Sequence, residues 1–355
     1  MEEYIRLKVD ALQEFTINVF SKLGVPLKDA QIAADVLVNA DQRGVSSHGL
    51  VRLSSYMDGL RTGTIKAITE FKILKETPNT LLISGEDGLG HVIGYKAMKL
   101  VIDKALQNNV AFAAVRDANH YGMAGYYPMM ALKHDIIGFS VTNGGPQVLP
   151  THGKEPMIGT NPISIAVPAG KKQPFVLDMA TTTTAKGKIT VKALEGKTTM
   201  PITWGTDEFG NPTQDIQKLL TNLREGKGGG LLPLGGAEED SGGHKGYGLG
   251  LAVDIFSGVL SGSDFGPNIT TGRSHFFGAI KIDAFIEPSV FKSTMDEYIN
   301  TLKNSEKTTG KHRIFIPGEK EFELYEQQKE EVRILSKVVE ELRKLGDEIN
   351  IKAPF

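Results

Sequence analysis

Leu81-Leu82-Ile83, a turn Gly88-Leu89-Gly90-His91-Val92-Ile93-Gly94, a helical stretch over residues 95–107, then Val110 to Val115 ending at Asp117: this stretch decides the fold. Strand, glycine turn, helix, strand and acid trace the outline of a dinucleotide-binding unit. The spacing is G-x-G-x-x-x-G, one residue longer than the usual G-x-G-x-x-G. A lone glycine pattern is a weak signal. The same residues read equally as a glycine-rich turn that opens a helix packed on a sheet.

Outward from this stretch, residues 5–23 and 27–43 have the apolar spacing of two amphipathic helices, separated at Val25-Pro26. A third helix is expected over residues 49–61, before turn signals at Arg61-Thr62-Gly63-Thr64. Short apolar runs then alternate with helical ones. Strands are expected at residues 136–142, 163–167, 175–177 and 276–285. Residues 225–243 are glycine-dense and read as a loop beside a site. Residues 246–260 read as an apolar helix, and the charged tail 319–346 as largely helical. The alternation implies an α/β layer structure.

The chain has 355 residues, 40% hydrophobic and 23% charged, which suits a globular protein with a sizeable core. Its formal net charge of −2 argues against a nucleic-acid partner. No apolar run of about 18 residues suggests a membrane span, and the first ten residues, which carry both charge signs, do not read as a signal peptide. A cytoplasmic location is expected. With no cysteine, disulfides and thiol catalysis are excluded. The eight histidines form no H-x-x-x-H pair, so no metal site is expected.

Five segments carry candidate chemistry. In Ser47-His48-Gly49-Leu50-Val51-Arg52, His48 and Arg52 lie four apart, so an imidazole and a guanidinium share one face near a helix start, as an anion site needs. A capping serine with solvated neighbours is the plainer reading. In Asn119-His120-Tyr121-Gly122, His120 leaves a buried strand among small residues and can exchange a proton near neutral pH. A hydrogen-bonded structural histidine has the same pattern. Asn143-Gly144-Gly145-Pro146 and Gly159-Thr160-Asn161-Pro162 are polar turns beside strands. Leu177-Asp178-Met179-Ala180 leads into Thr181 to Thr184, a phosphate cradle or a solvated edge. His244-Lys245-Gly246-Tyr247-Gly248 opens the apolar helix, where a lysine opposes the helix dipole unless an anion is present.

Together and in this order, over about residues 10–320, these segments resemble the malate/L-lactate dehydrogenase family. That family includes ureidoglycolate dehydrogenase, L-sulfolactate dehydrogenase and cyclic ketimine reductases, and the archaeal-type malate and sulfolactate dehydrogenases are the most similar. The resemblance implies an α/β, L-sulfolactate dehydrogenase-like fold that is not Rossmann: a mixed sheet with flanking helices, plus a helical subdomain from both chain ends. On that reading residues 1–70 with 319–355 form a helical, dimerising subdomain, residues 71–318 form the cofactor-binding and catalytic domain, and the Gly88–Gly94 turn is structural.

The resemblance also implies roles. His120 matches the proton donor and acceptor, beside the cofactor. His48 and Arg52 match the substrate pocket, with Arg52 clamping the carboxylate and Ser47, Thr160 and Asn161 shaping its walls. Gly144, Asp178, Met179, Ala180 and Lys245 match cofactor-contacting positions, as do Gly310, Lys311 and His312. The implied activity is NAD- or NADP-dependent hydride transfer on a small 2-hydroxy/2-oxo acid, L-malate/oxaloacetate first. L-lactate, L-sulfolactate, ureidoglycolate and cyclic ketimines are the alternatives, followed by a non-catalytic nucleotide-binding protein. A homodimer or dimer of dimers is implied. Residues 181–200 and 261–275 do not align with the family pattern.

Overall fold

A computed structural model of the protein describes residues 4–355. In chain order its strands are β1 (Tyr4–Lys8), β2 (Lys72–Glu76), β3 (Thr80–Ser84), β4 (Val110–Ala118), β5 (Ile136–Thr142), β6 (Ile163–Val167), β7 (Phe175–Met179), β8 (Arg273–Lys281) and β9 (Glu331–Leu335). Its helices are α1 (Val9–Lys22), α2 (Leu27–Gln42), α3 (Leu53–Thr62), α4 (Gly90–Asn108), α5 (Tyr126–Met129), α6 (Lys186–Leu194), α7 (Ile216–Glu225), α8 (Gly243–Asp254), α9 (Pro288–Asn304), α10 (Glu319–Gln327) and α11 (Ser336–Glu348).

The main sheet has seven strands in the order β2-β3-β4-β8-β5-β6-β7. Only β3 and β4 run parallel, joined through α4; every other neighbouring pair is antiparallel. A Rossmann unit needs a mostly parallel sheet, so the mixed, non-Rossmann α/β fold holds and the dinucleotide outline at Gly88–Gly94 does not. The glycines serve packing instead. A Cβ on Gly90 would overlap the carbonyl oxygens of Asn119 and His120, and one on Gly94 would come within 2.7 Å of the Tyr127 ring. Helix α4 thereby lies directly against the turn that carries His120. Val92, Ile93, Ala97, Met98, Val101 and Ala105 are buried along it, and the sheet supplies Ile83, Ala113, Val115 and Phe277 to the same core.

A second core joins the two chain ends. Leu12, Phe15, Val19 and Phe20 of α1, at helical spacing, pack with Leu37 of α2, Val332 of β9 and Val339 and Leu342 of α11. Residues 5–8 are not the start of a helix: they are extended, and Tyr4 to Lys8 pair antiparallel with Leu335 to Glu331. Five residues of alternating burial are too short to stand out from the helical period that follows. The tail is correspondingly α10, β9, α11 rather than one helical run. Two single 3-10 turns, Ser46–His48 and Leu50–Arg52, precede α3 where a continuous helix was expected. Helix α8 stops at Asp254 and continues as a π turn, Ile255–Val259.

Gly90→Ala should cost about 1–3 kcal/mol, the usual range for overpacking, read as a lower urea midpoint with unchanged m-value. An unaltered midpoint would mean that the α4–His120 turn contact is not tight.

Candidate active site

Strand β4 ends at Ala118, and the chain turns through Gly122, whose φ of 80° a side chain would resist. His120 sits in this turn. Its Nδ1 lies 2.6 Å from the hydroxyl of Tyr56 on α3. A tyrosine hydroxyl donates or accepts, so it can support either tautomer of the ring. Burial raises Tyr56 and keeps it a neutral phenol. His48 stacks on His120, with centroids 5.6 Å apart and planes 17° from parallel. The Ser47 hydroxyl is 2.9 Å from Nδ1 of His48, and Arg52 Nε donates to the Ser47 carbonyl at 2.9 Å.

The electrostatics are one-sided. Burial and then the Arg52 charge lower His48 to about 4. Burial, Arg52, His48 and Arg273 lower His120 well below the usual histidine range. Arg273, from β8, and Lys186, from α6, feel the same Arg52 charge after burial. Among the described residues Arg52, Arg273 and Lys186 have no carboxylate within 4.0 Å. Two neutral imidazoles thus face a group of uncompensated cations, an arrangement that an anion completes.

A cleft of about 890 Å³ runs from His48 and Gly122 past Thr160 and Asp178 to the 315–322 segment, within the size range of ligand pockets. Met179 and Ala180 line it. Asp178 accepts the Gly125 N–H at 2.7 Å. Desolvation by the cleft walls pushes its carboxyl up to about 6, against the lowering effect of Gly125, and Glu321 raises it further. The buried Thr184 hydroxyl has no hydrogen-bond partner, and Lys188, Lys192 and Lys320 stand along the walls. An unpartnered hydroxyl, a carboxyl and several cations in an elongated cleft suit a nicotinamide dinucleotide, with its ribose hydroxyls and phosphates.

Ser47 and His48 therefore line one end of this cleft, with His120 stacked on His48 and Arg52 bonded to the Ser47 carbonyl, and Thr160, Asp178, Met179 and Ala180 lie along it. Asn161 turns inward: it accepts the Gly144 N–H at 3.1 Å and donates to the Gly250 carbonyl at 2.8 Å, stitching loops together. Gly144 lies beside Arg273, whose Nε would be 3.8 Å from a Cβ there. Lys245 is exposed in the first turn of α8 and does not line the cleft. Gly310, Lys311 and His312 are exposed too, and the wall there is formed by residues 315–322 instead. Nor are the threonines a free phosphate cradle. Thr181 bonds to the Thr160 and Asn161 carbonyls, and Thr182 to that of Thr184.

Sequence reasoning missed Tyr56 and Arg273. Tyr56 carried a signal, since it continues the four-residue spacing of His48 and Arg52. Arg273 lies in a stretch without one.

Four histidines, 48, 91, 120 and 275, are held neutral by burial, with His91 and His275 lowered to about 3. A pKa depressed on folding stabilises the fold above the unfolded value, near 6.5, and that contribution is lost as pH falls through the folded values. Stability should therefore decline steadily from pH 6.5 toward 4. His275→Gln, away from the cleft with Nδ1 2.8 Å from the Thr142 hydroxyl, should flatten the decline in urea titrations. An equally steep decline in the variant would show that His275 is not among its causes.

Comparison with known proteins agrees with this geometry. A sequence profile described as malate/L-lactate dehydrogenase matches residues 7–343. The malate dehydrogenase of Pyrococcus abyssi is 43% identical over 99% of this chain and 97% of that protein. The L-sulfolactate dehydrogenase of Methanocaldococcus jannaschii is 39% identical over 97% of each. The crystal structure of malate dehydrogenase from Entamoeba histolytica superposes with a TM-score of 0.96 at 33% identity, covering 99% of this chain and 100% of that one. With a profile match over nearly its whole length and relatives well above 30% identity, the chain belongs to the malate/L-lactate dehydrogenase family.

Proposed function

We propose that this chain is a cytoplasmic NAD- or NADP-dependent oxidoreductase of small 2-hydroxy/2-oxo acids, with L-malate/oxaloacetate its first substrate pair. The observation that carries the reading is the pair of arginines, Arg52 and Arg273, without counter-ions around a neutral His120. Two guanidinium groups suit two anionic groups on one substrate. A dicarboxylate meets that need, and L-lactate, a cyclic imino acid or ureidoglycolate, with one carboxylate each, meets half of it. A sulfo-carboxylate meets it as well, so L-sulfolactate is the second reading. The names of the relatives support both.

In this mechanism Arg52 clamps the C1 carboxylate and Arg273 takes the second anion. The substrate oxygen then faces His120, which is deprotonated and ready to act as base. His120, with the Tyr56 hydroxyl and the Gly122 N–H both at its Nδ1, takes the hydroxyl proton in oxidation and returns it in reduction. The two bound anions offset the field of Arg52 and raise the proton affinity of His120 as it receives the proton. Asp178, Met179, Ala180 and Thr184 would hold a nicotinamide cofactor, which would supply or accept the hydride. Residues 1–70 with 319–355 act as the subdomain that delivers Ser47, His48 and Arg52 to the catalytic domain 71–318, a role that the shared chain-end core supports. A homodimer completes the proposal. Leu249, Ile255, Phe256, Val259, Leu260 and Phe265 form a run of exposed apolar side chains on and after α8, so a second copy covers this face rather than the helical subdomain.

The test follows nicotinamide absorbance with oxaloacetate, pyruvate, sulfopyruvate and a cyclic imino acid, each with NADH and NADPH. Oxaloacetate or sulfopyruvate should lead, and preference for pyruvate or the imino acid would remove the two-anion argument. His120→Ala should lower kcat by about 10²–10⁴ while cofactor affinity holds. Arg273→Met should raise KM for oxaloacetate far more than for pyruvate, and an equal rise would sink its assignment. Sedimentation velocity should show a dimer that Val259→Asp dissociates; a monomeric parent would refute the α8 interface.

A further inference from the structure

The 3-10 turns Ser46–His48 and Leu50–Arg52 carry three of the site's side chains, yet each is one turn long and makes few bonds of its own. Within them His48 N–H reaches Val45 O at 2.9 Å, and Arg52 N–H reaches Gly49 O at 3.0 Å. Such short turns are marginal without outside support. The joint between them is Gly49, and beneath it lies Asp41, buried at the end of α2. Its Oδ2 accepts the Leu50 N–H at 2.8 Å. That N–H is the first of the second turn and has no partner within it, so the carboxylate acts as a helix cap supplied from nine residues upstream. A Cβ on Gly49 would overlap the Asp41 carboxyl group, so the backbone of the joint rests directly on it.

Asp41 is itself anchored. Helix α2 ends through Gly44 N–H to the Asp41 carbonyl at 2.9 Å and Val45 N–H to the Ala40 carbonyl at 2.8 Å. The adjoining Gln42 and Gln328 exchange side chain to backbone bonds, 3.1 Å and 2.9 Å, that tie this end of α2 to the turn after α10. No lysine, arginine or histidine pairs with the Asp41 carboxyl among the described residues; burial pushes it up to about 7, against the lowering effect of its partner, the Leu50 amide.

We propose that Asp41 is a positioning residue for the reaction: its carboxylate, wedged under Gly49, sets the angle between the two turns and so the register of Ser47 and His48 against Arg52. It touches no substrate. It determines how well a 2-oxo acid is gripped at the end of the cleft lined by residues 43–48, while the part assigned to the cofactor, along residues 178–184 and 315–322, is left alone. This rests on the reading of His48 and Arg52 as substrate residues.

The experiment compares the parent with Asp41→Ala and Asp41→Asn, in hydrogen exchange of the 44–53 segment and in steady-state kinetics. Asp41→Ala should speed exchange across residues 46–52 but not in α4. It should raise KM for the preferred 2-oxo acid about tenfold, the usual effect of leaving a buried N–H unpaired. Cofactor affinity should stay at the parent value and kcat should change far less than KM. Asp41→Asn keeps the shape and a neutral acceptor, and should restore most of both. Parent-like exchange and KM in Asp41→Ala would overturn the proposal, as would a rise of KM matched by equal losses of kcat and cofactor affinity in both variants. Should Asp41→Ala not fold, Asp41→Ser, whose side chain is too short to reach the Leu50 amide, decides: faster exchange confined to 46–52 supports the proposal, and unchanged exchange overturns it. A parent inactive on every 2-oxo acid would refute the functional reading instead, and the exchange arm would still report on Asp41.

Discussion

The contact on which the rest depends is the approach of α4 to the turn after β4. At Gly90 the helix backbone comes so near the carbonyls of Asn119 and His120 that no side chain fits between them. That closeness fixes three things together. It seats α4 on the sheet, it ends β4 at Ala118, and it turns His120 toward α3, where Tyr56 meets its Nδ1. Packing density of this kind transmits displacement rather than absorbing it, so the reactive imidazole is held as firmly as the core.

Around it, charge is arranged to be incomplete. A protein interior normally pairs its cations, because an unpaired buried charge is costly. Here Arg52, Arg273 and Lys186 surround imidazoles that burial keeps neutral. The resting site thus carries the cost of separated positive charge, and an anionic ligand relieves it. On the proposed mechanism binding and activation are one event, because anions on the arginines would also restore basicity to His120.

Much of this was legible in the residues. Strands β5 and β6 announce themselves as continuous apolar runs, and α2 as a regular amphipathic stretch with a proline at its entry. The His48–Arg52 spacing and the position of His120 at a strand end also pointed to the site. Other parts left little trace. β1 and β9 are five residues each and pair across more than three hundred positions, so neither shows in a local window. Arg273 is placed by its register on β8, which only the assembled sheet defines. The glycines at 88–94 gave a misleading signal because tight turns at phosphate sites and tight helix–strand contacts ask the same of the backbone. The family resemblance, not their spacing, separated the two.

The pairing of β1 with β9 has a consequence for how the protein is made. Synthesis proceeds from the N-terminus, and domains tend to fold as they emerge. Yet Leu12, Phe15 and Val19, near the start of the chain, are covered by Val332, Val339 and Leu342, near its end. Until that later segment is made, α2 alone covers this apolar face, through Leu37 and its neighbours. The core beneath the His48–Arg52 end of the site is therefore complete only once residues 332–345 have been made.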